Sequence, residues 1–143
     1  MQLMKGDMMS VFDQVDHFIV CVASSLRSDG SATMLNGVAG QLTAKHPTLP
    51  AAIGTFIKNE CGSCGCFWLR AEGKIGVFQN GIMNKDGPNL MCISGAAKRL
   101  KELAEANPEK TYALETPQGN EKWWLVEGIL ATLPDNVQVW IPN

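Results

Sequence analysis

Positive charge is scarce and scattered in this chain. Twelve lysines and arginines are outnumbered by fourteen aspartates and glutamates over 143 residues, and no basic stripe gathers them. A nucleic-acid groove or a surface for anionic membranes needs such clustering, so neither partner is expected. No apolar run approaches the roughly 20 residues of a membrane span. The first residues, Met1-Gln2-Leu3-Met4-Lys5-Gly6-Asp7, lack the apolar core and cleavage site of a secretory leader. Five cysteines, an odd number, then point to reduced thiols and a cytoplasmic setting. His17 and His46 have no aspartate or serine at triad spacing, so satisfied structural imidazoles are expected. Linkers, repeats and low-complexity tracts are also missing, which argues for one domain over 1–143. The remainder is an ordinary globular balance of 45% hydrophobic and 18% charged residues.

Short apolar runs alternate with helical patterns. Leu3 opens a short strand that closes at Gly6-Asp7, and a small helix or turn follows around Met9–Gln14. His17–Val22 (HFIVCV) is a run of mostly β-favouring residues, the mark of a strand buried on both faces. After the loop Ala23–Leu35, Asn36 offers an N-cap to a helix that stops at His46-Pro47. Pro50–Lys58 reads as a further helix, and Phe67–Arg70 and Ile75–Gln79 as two strands. Leu90, Ile93, Ala97, Leu100 and Ala104 recur at spacings of three and four, an amphipathic helix starting near Pro88. Thr111–Thr116 is a strand, Trp123–Leu133 a helix ended by Pro134, and Val137–Ile141 a last strand. The alternation predicts a three-layer α/β/α sandwich with a central mixed, mostly parallel sheet of about six strands. Ligands of such sheets settle beyond the carboxyl ends of the strands. Two long loops leave strands there, Ala23–Leu35 and Pro117–Lys122.

The most informative stretch runs from Ser28 to Gly40. It joins a buried strand to a helix whose first turn, Gly37-Val38-Ala39-Gly40, holds only small residues. Small residues let a ligand approach the backbone, and the free N–H groups of a first turn attract phosphate. Glycines that merely satisfy turn geometry would leave the same pattern.

Taken in order, Gly6-Asp7, the HFIVCV strand, Met34-Leu35-Asn36-Gly37-Val38-Ala39-Gly40-Gln41 and His46-Pro47 resemble the macrodomain family. The likeness is greatest to its small bacterial and phage branch, whose strand ending Phe-Gln-Thr-Lys is similar to Ile75-Gly76-Val77-Phe78-Gln79. The resemblance implies a cleft for ADP-ribose or a related NAD-derived adenine nucleotide, with no further cofactor. Asp7, followed by Met8, matches the aspartate that accepts from the adenine amino group; a helix N-cap is the plainer role for it. Gly37, Val38, Ala39 and Gly40, with Met34 and Asn36 beside them, match the backbone lying against the distal ribose and diphosphate. Phe78, Gln79 and Asn80 are carried over as cleft residues, and Pro117-Gln118-Gly119-Asn120 stands where the family has its second phosphate loop. A bulky residue at Gly37 is expected to abolish nucleotide binding and leave the fold nearly intact.

Departures from the pattern bear on turnover. The family's ribose-binding asparagine aligns with Ala23, with Ser24 or Ser25 as neighbouring substitutes. The lysine of its Phe-Gln-Thr-Lys strand aligns with Gly81, and the second loop keeps one glycine, Gly119. Polar groups that would activate a water are thus removed while the apolar frame is kept. Binding without hydrolysis is the expectation, with a role in phage–host conflict implied by the branch. One alternative is an ADP-ribosyl hydrolase or ADP-ribose phosphatase, for which Asp7, Asp29, Glu121 and Lys122 are the ionisable candidates. The other is a protein-interaction module that has lost the nucleotide.

Two aromatic and thiol features complete the reading. Trp123 is in helical phase with the core, whereas Trp124 should face outward or toward the cleft, either stacking on a base or standing as a surface aromatic. Cys61, Cys64 and Cys66 lack a fourth ligand at zinc spacing, so small thiols packed at a strand start, and no metal, are expected.

Overall fold

A computed structural model of the chain describes residues 1–60, 65–68, 73–117 and 123–142. Its strands are β1 (Gln2–Lys5), β2 (His17–Ala23), β3 (Cys66–Trp68), β4 (Ile75–Gly81), β5 (Tyr112–Glu115) and β6 (Val137–Ile141). Its helices are α1 (Gly37–Lys45), α2 (Leu49–Glu60), α3 (Leu90–Ala106) and α4 (Trp123–Leu130), with 3-10 turns at Met8–Val11 and Asn84–Asp86. The strands form one sheet in the order β1-β6-β5-β2-β4-β3, parallel throughout except for β3 against β4. Parallel neighbours cannot be joined by tight hairpins, and the helical segments supply the crossovers.

Burial explains why β2 and β4 are nearly continuous apolar runs. Phe18, Val20 and Val22 join Ile75 and Val77 in a core roofed by Leu42 of α1 and Ile53 of α2. Alternation sends Ile19 and Phe78 to the opposite face, where Ile93 and Leu100 of α3 and Val126 and Leu130 of α4 close a second core. Helices therefore cover both faces, as the strand–helix alternation predicts. Among the described residues no helix is long and apolar enough to cross a membrane.

Boundaries moved where local chemistry outweighed periodicity. The helix expected to start near Pro88 begins at Leu90, capped by Asn89, whose Oδ1 accepts from the Cys92 N–H at 2.8 Å. The last helix ends at Leu130, three residues before the expected Leu133. Leu133 is still buried, carried inward by a turn whose N–H donates to the Leu130 carbonyl, so its apolar phase outlasts the helix. Between β2 and β4 the register slips: Val22 faces Gln79 but Ala23 faces Gly81, leaving Asn80 as the extra residue of a bulge.

Candidate functional site

Two adjoining cavities open at the carboxyl ends of the parallel strands and meet at the first turn of α1. The first, about 300 Å3, is lined by Gly6, Asp7 and Met8 after β1, Glu115 and Thr116 of the β5 end, Trp140 of β6 and Pro142 just after it, and Gly37, Val38 and Gln41. The second, about 190 Å3, lies between Cys21 to Ala23, Thr33 to Asn36, Ala39, Asn80, Asn84, Gly87 and Pro88. Asp7 does what a cap does: its Oδ1 accepts from the Met9 N–H at 3.0 Å and starts the 3-10 turn. It also stands on the wall of the first cavity.

The strongest polar feature is a residue that motif reading passed over. Glu115 ends β5 and turns its carboxylate under α1. Oε1 accepts from the Cys21 N–H and Oε2 from the Val38 N–H, both at 2.9 Å. Burial pushes its carboxyl above the ordinary range, partly offset by the backbone N–H groups of Cys21, Val38 and Ala39. A negative group at a helix N-terminus is favoured there by the unpaired amides and the helix dipole. Asn36 stands at the N-cap position, yet its side chain makes no capping bond. The Glu115 carboxylate serves the first turn in its place. A carboxylate at the carboxyl end of a central parallel strand was the available signal.

Gly37 is held at φ +61°, and a Cβ built on it would lie 2.8 Å from Glu115 Oε2. Only glycine adopts that backbone routinely. The expectation that a bulky residue here spares the fold is therefore corrected: substitution strains the backbone and collides with the carboxylate. Thr116 Oγ1, on the same wall, is buried with no hydrogen-bond partner among the described residues. Cys21 is no ready nucleophile, because burial and the nearby Glu115 charge push its thiol well above the usual value.

No protein-family model matches the chain, and no curated protein is significantly similar to it. Solved structures do match. The macrodomain of Thermus aquaticus DarG superposes with a TM-score of 0.71 at 16% identity, over 99% of this chain and 97% of that one. The macrodomain of Mycobacterium tuberculosis DarG also gives 0.71, at 17% identity and 99% of each chain. The chain has the macrodomain fold. A third similar structure, Thermosipho africanus DarTG in complex with ADP-ribose, gives 0.72 at 17% identity; here 99% of this chain spans 42% of that one.

Within the macrodomain fold, the two departures at Ala23 and Gly81 prove to be partners across the β2–β4 bulge. A Cβ on Gly81 would lie 2.6 Å from the Gly87 carbonyl oxygen and 3.4 Å from Pro88 Cα. The loop before α3 thus fills the space that a lysine would need. Met34, Asn36, Ala39 and Asn80 line the second cavity, as Asp7, Met8, Gly37 and Val38 line the first. Gly40 packs its backbone against the loop, a Cβ there lying 2.7 Å from the Leu35 carbonyl oxygen.

Other expected cleft residues have structural places. Phe78 is fully buried in the α3/α4 core, because strand alternation turns it from the groove. Gln79 is also fully buried: its Nε2 donates to Ser24 Oγ and its Oε1 accepts from the Gly65 N–H, which ties Gln79 to the partly buried Ser24. Ser25 Oγ accepts from the Asn84 N–H and pins the loop after β4. Asp29 accepts from the N–H and hydroxyl of Ser31 within its own turn. Pro117 is buried; Gln118, Gly119, Asn120, Glu121 and Lys122 lie outside the described residues, as do Cys61 and Cys64. Cys66 is buried and its thiol is pushed far up by burial. Trp124 is exposed on α4, while Trp123 is half-buried and donates to Glu127. His17 is a structural imidazole, stacked on Tyr112 and bonded through Nδ1 to the Gly73 carbonyl.

Proposed function

We propose that this chain is a single binding module that holds ADP-ribose or a related NAD-derived adenine nucleotide without turning it over. The adenine lies toward Asp7 and Met8, and the diphosphate toward the first turn of α1. The observation that carries this reading is the placement of Asp7 and Gly37-Val38 on one 300 Å3 cavity at the carboxyl ends of the strands. The match to a macrodomain-fold protein solved with ADP-ribose supports it. Binding is favoured over hydrolysis because Ala23 and Gly81 bring no polar group to the bulge and the thiol of Cys21 is held protonated. A cytoplasmic setting and a part in phage–host conflict belong to the same reading and rest on the cysteine count and the sequence resemblance.

A thermal-shift series with ADP-ribose, AMP and NAD tests the reading. Ligand at a hundred times its dissociation constant should stabilise the fold by about 2.7 kcal/mol. Stabilisation by ADP-ribose, with no product formed, supports the module. Release of ADP-ribose from a modified protein or nucleic acid would make it an enzyme.

A further inference from the structure

The proposed diphosphate seat already has an anion at it. The Val38 N–H, in the first turn of α1, is bonded to Glu115 Oε2 at 2.9 Å, and Oε1 is anchored by the Cys21 N–H. Gly37 leaves no slack above it, since even a Cβ would come within 2.8 Å of the carboxylate. No described residue lining this cavity is cationic, and Asp7 adds a second carboxylate to its wall. A diphosphate entering here meets two acids and, among the described lining residues, no compensating lysine or arginine. Like charges a few ångströms apart in a partly dry site cost far more than in water.

We infer that Glu115 is the site's internal competitor for phosphate: its carboxylate holds the α1 amide, and nucleotide binding proceeds with transfer of one proton from solvent to this carboxyl. The inference rests on the nucleotide-binding reading above. Protonation removes the repulsion and weakens the hold of Oε2 on Val38, freeing that N–H for a phosphate oxygen. The groups facing the carboxyl are the Cys21 amide and thiol from β2, the Val38 and Ala39 amides from α1 and Asp7 across the cavity. The Thr116 hydroxyl adjoins it along the strand end and lines the same cavity. Burial already biases the group toward its protonated form, so the further shift required of the ligand is reduced. The device differs from a plain phosphate loop in one measurable way: affinity depends on pH, although the diphosphate diester of ADP-ribose keeps its charge across the range.

Isothermal titration of ADP-ribose into wild type, Glu115→Gln and Glu115→Thr decides the matter. Glutamine keeps an acceptor for Cys21 without the charge; threonine removes the side chain's reach and serves if the amide variant folds poorly. Wild type should bind about tenfold or more tightly near pH 5 than near pH 8, with about one proton taken up in buffers of different ionisation enthalpy. The uncharged variants should bind about tenfold more tightly than wild type near pH 8, take up no proton and show a flat profile. Both histidines remain in all three proteins, so the difference between them isolates Glu115. A flat wild-type profile, or variants that bind no more tightly near pH 8, overturns the inference and leaves the nucleotide reading standing. Absence of ADP-ribose binding by all three proteins at every pH overturns the nucleotide reading and the inference with it.

Discussion

Glu115 and Val38, 77 residues apart in sequence, are joined by a 2.9 Å bond between a carboxylate oxygen and the first-turn amide of α1. The same carboxylate reaches back 94 residues to the amide of Cys21. One side chain thereby ties β5, β2 and α1 together at the carboxyl ends of the strands.

This junction makes stability depend on pH in a definite direction. Burial raises the Glu115 carboxyl above its ordinary value of 4.5, so the folded chain holds a proton there that the unfolded chain has released. Stability is then fullest below 4.5 and falls as pH rises through the folded value. His17 runs the other way: burial lowers its pKa below 6.5, and stability is lost as pH falls from 6.5 toward the folded value. Denaturant midpoints of wild type and Glu115→Gln, compared across pH, should differ by the Glu115 slope alone. Identical profiles would mean that the carboxyl titrates as it does in water.

Gly37→Ala should destabilise the fold by about 1–2 kcal/mol, the cost of placing a Cβ in the left-handed region. A further loss should come from the contact with Glu115. In a double-mutant cycle with Glu115→Thr, that second part should vanish and the backbone part remain. Additive losses would show that the Cβ never meets the carboxylate.

Gly81→Lys tests whether this position can take the lysine that the resembling strand carries. The Gly87 carbonyl lies 2.6 Å from the new Cβ, so overpacking should cost about 1–3 kcal/mol. Release of ADP-ribose from a modified substrate should stay at background. Hydrolysis by a stable Gly81→Lys protein would contradict the packing described for the loop before α3.

Asp7 has two roles that substitution can separate. Asp7→Ala loses a cap and should cost about 0.5–1 kcal/mol of stability, whereas Asp7→Asn keeps an acceptor for Met9 and should cost a few tenths. Adenine nucleotides should bind more weakly to the alanine variant by about 1–3 kcal/mol. Unchanged affinity with lowered stability would leave Asp7 as a cap alone.

The elements legible in the sequence are those whose burial has a period. The run HFIVCV is a strand because both faces of β2 are covered, and the spacing of Ile93, Ala97, Leu100 and Ala104 matches the buried face of α3. The last strand, Val137–Ile141, has the bounds that its apolar residues suggest. Direction and local register carry no such mark: the antiparallel edge β3 and the bulge at Asn80 arise from pairing between distant segments. Of the candidate site, the backbone turn at Gly37-Val38 and the acid Asp7 were visible as motifs. Phe78 and Gln79 are fully buried, on opposite faces of β4, and a motif match is blind to such burial. Glu115 carried only the signal of an acid at a strand's carboxyl end, and its role was hidden for another reason. Its partners come from two other elements, and nothing in Tyr-Ala-Leu-Glu announces them.

Titration of ADP-ribose into isotope-labelled protein, followed by the amide resonances, tests the central claim most directly. Asp7, Met8, Gly37, Val38, Ala39 and Thr116 should shift together and saturate at one ligand per chain, with the exposed α2 surface around Thr55 and Lys58 unmoved. Resonances that stay still at millimolar ligand, or shifts confined to a surface away from the first turn of α1, would contradict the account.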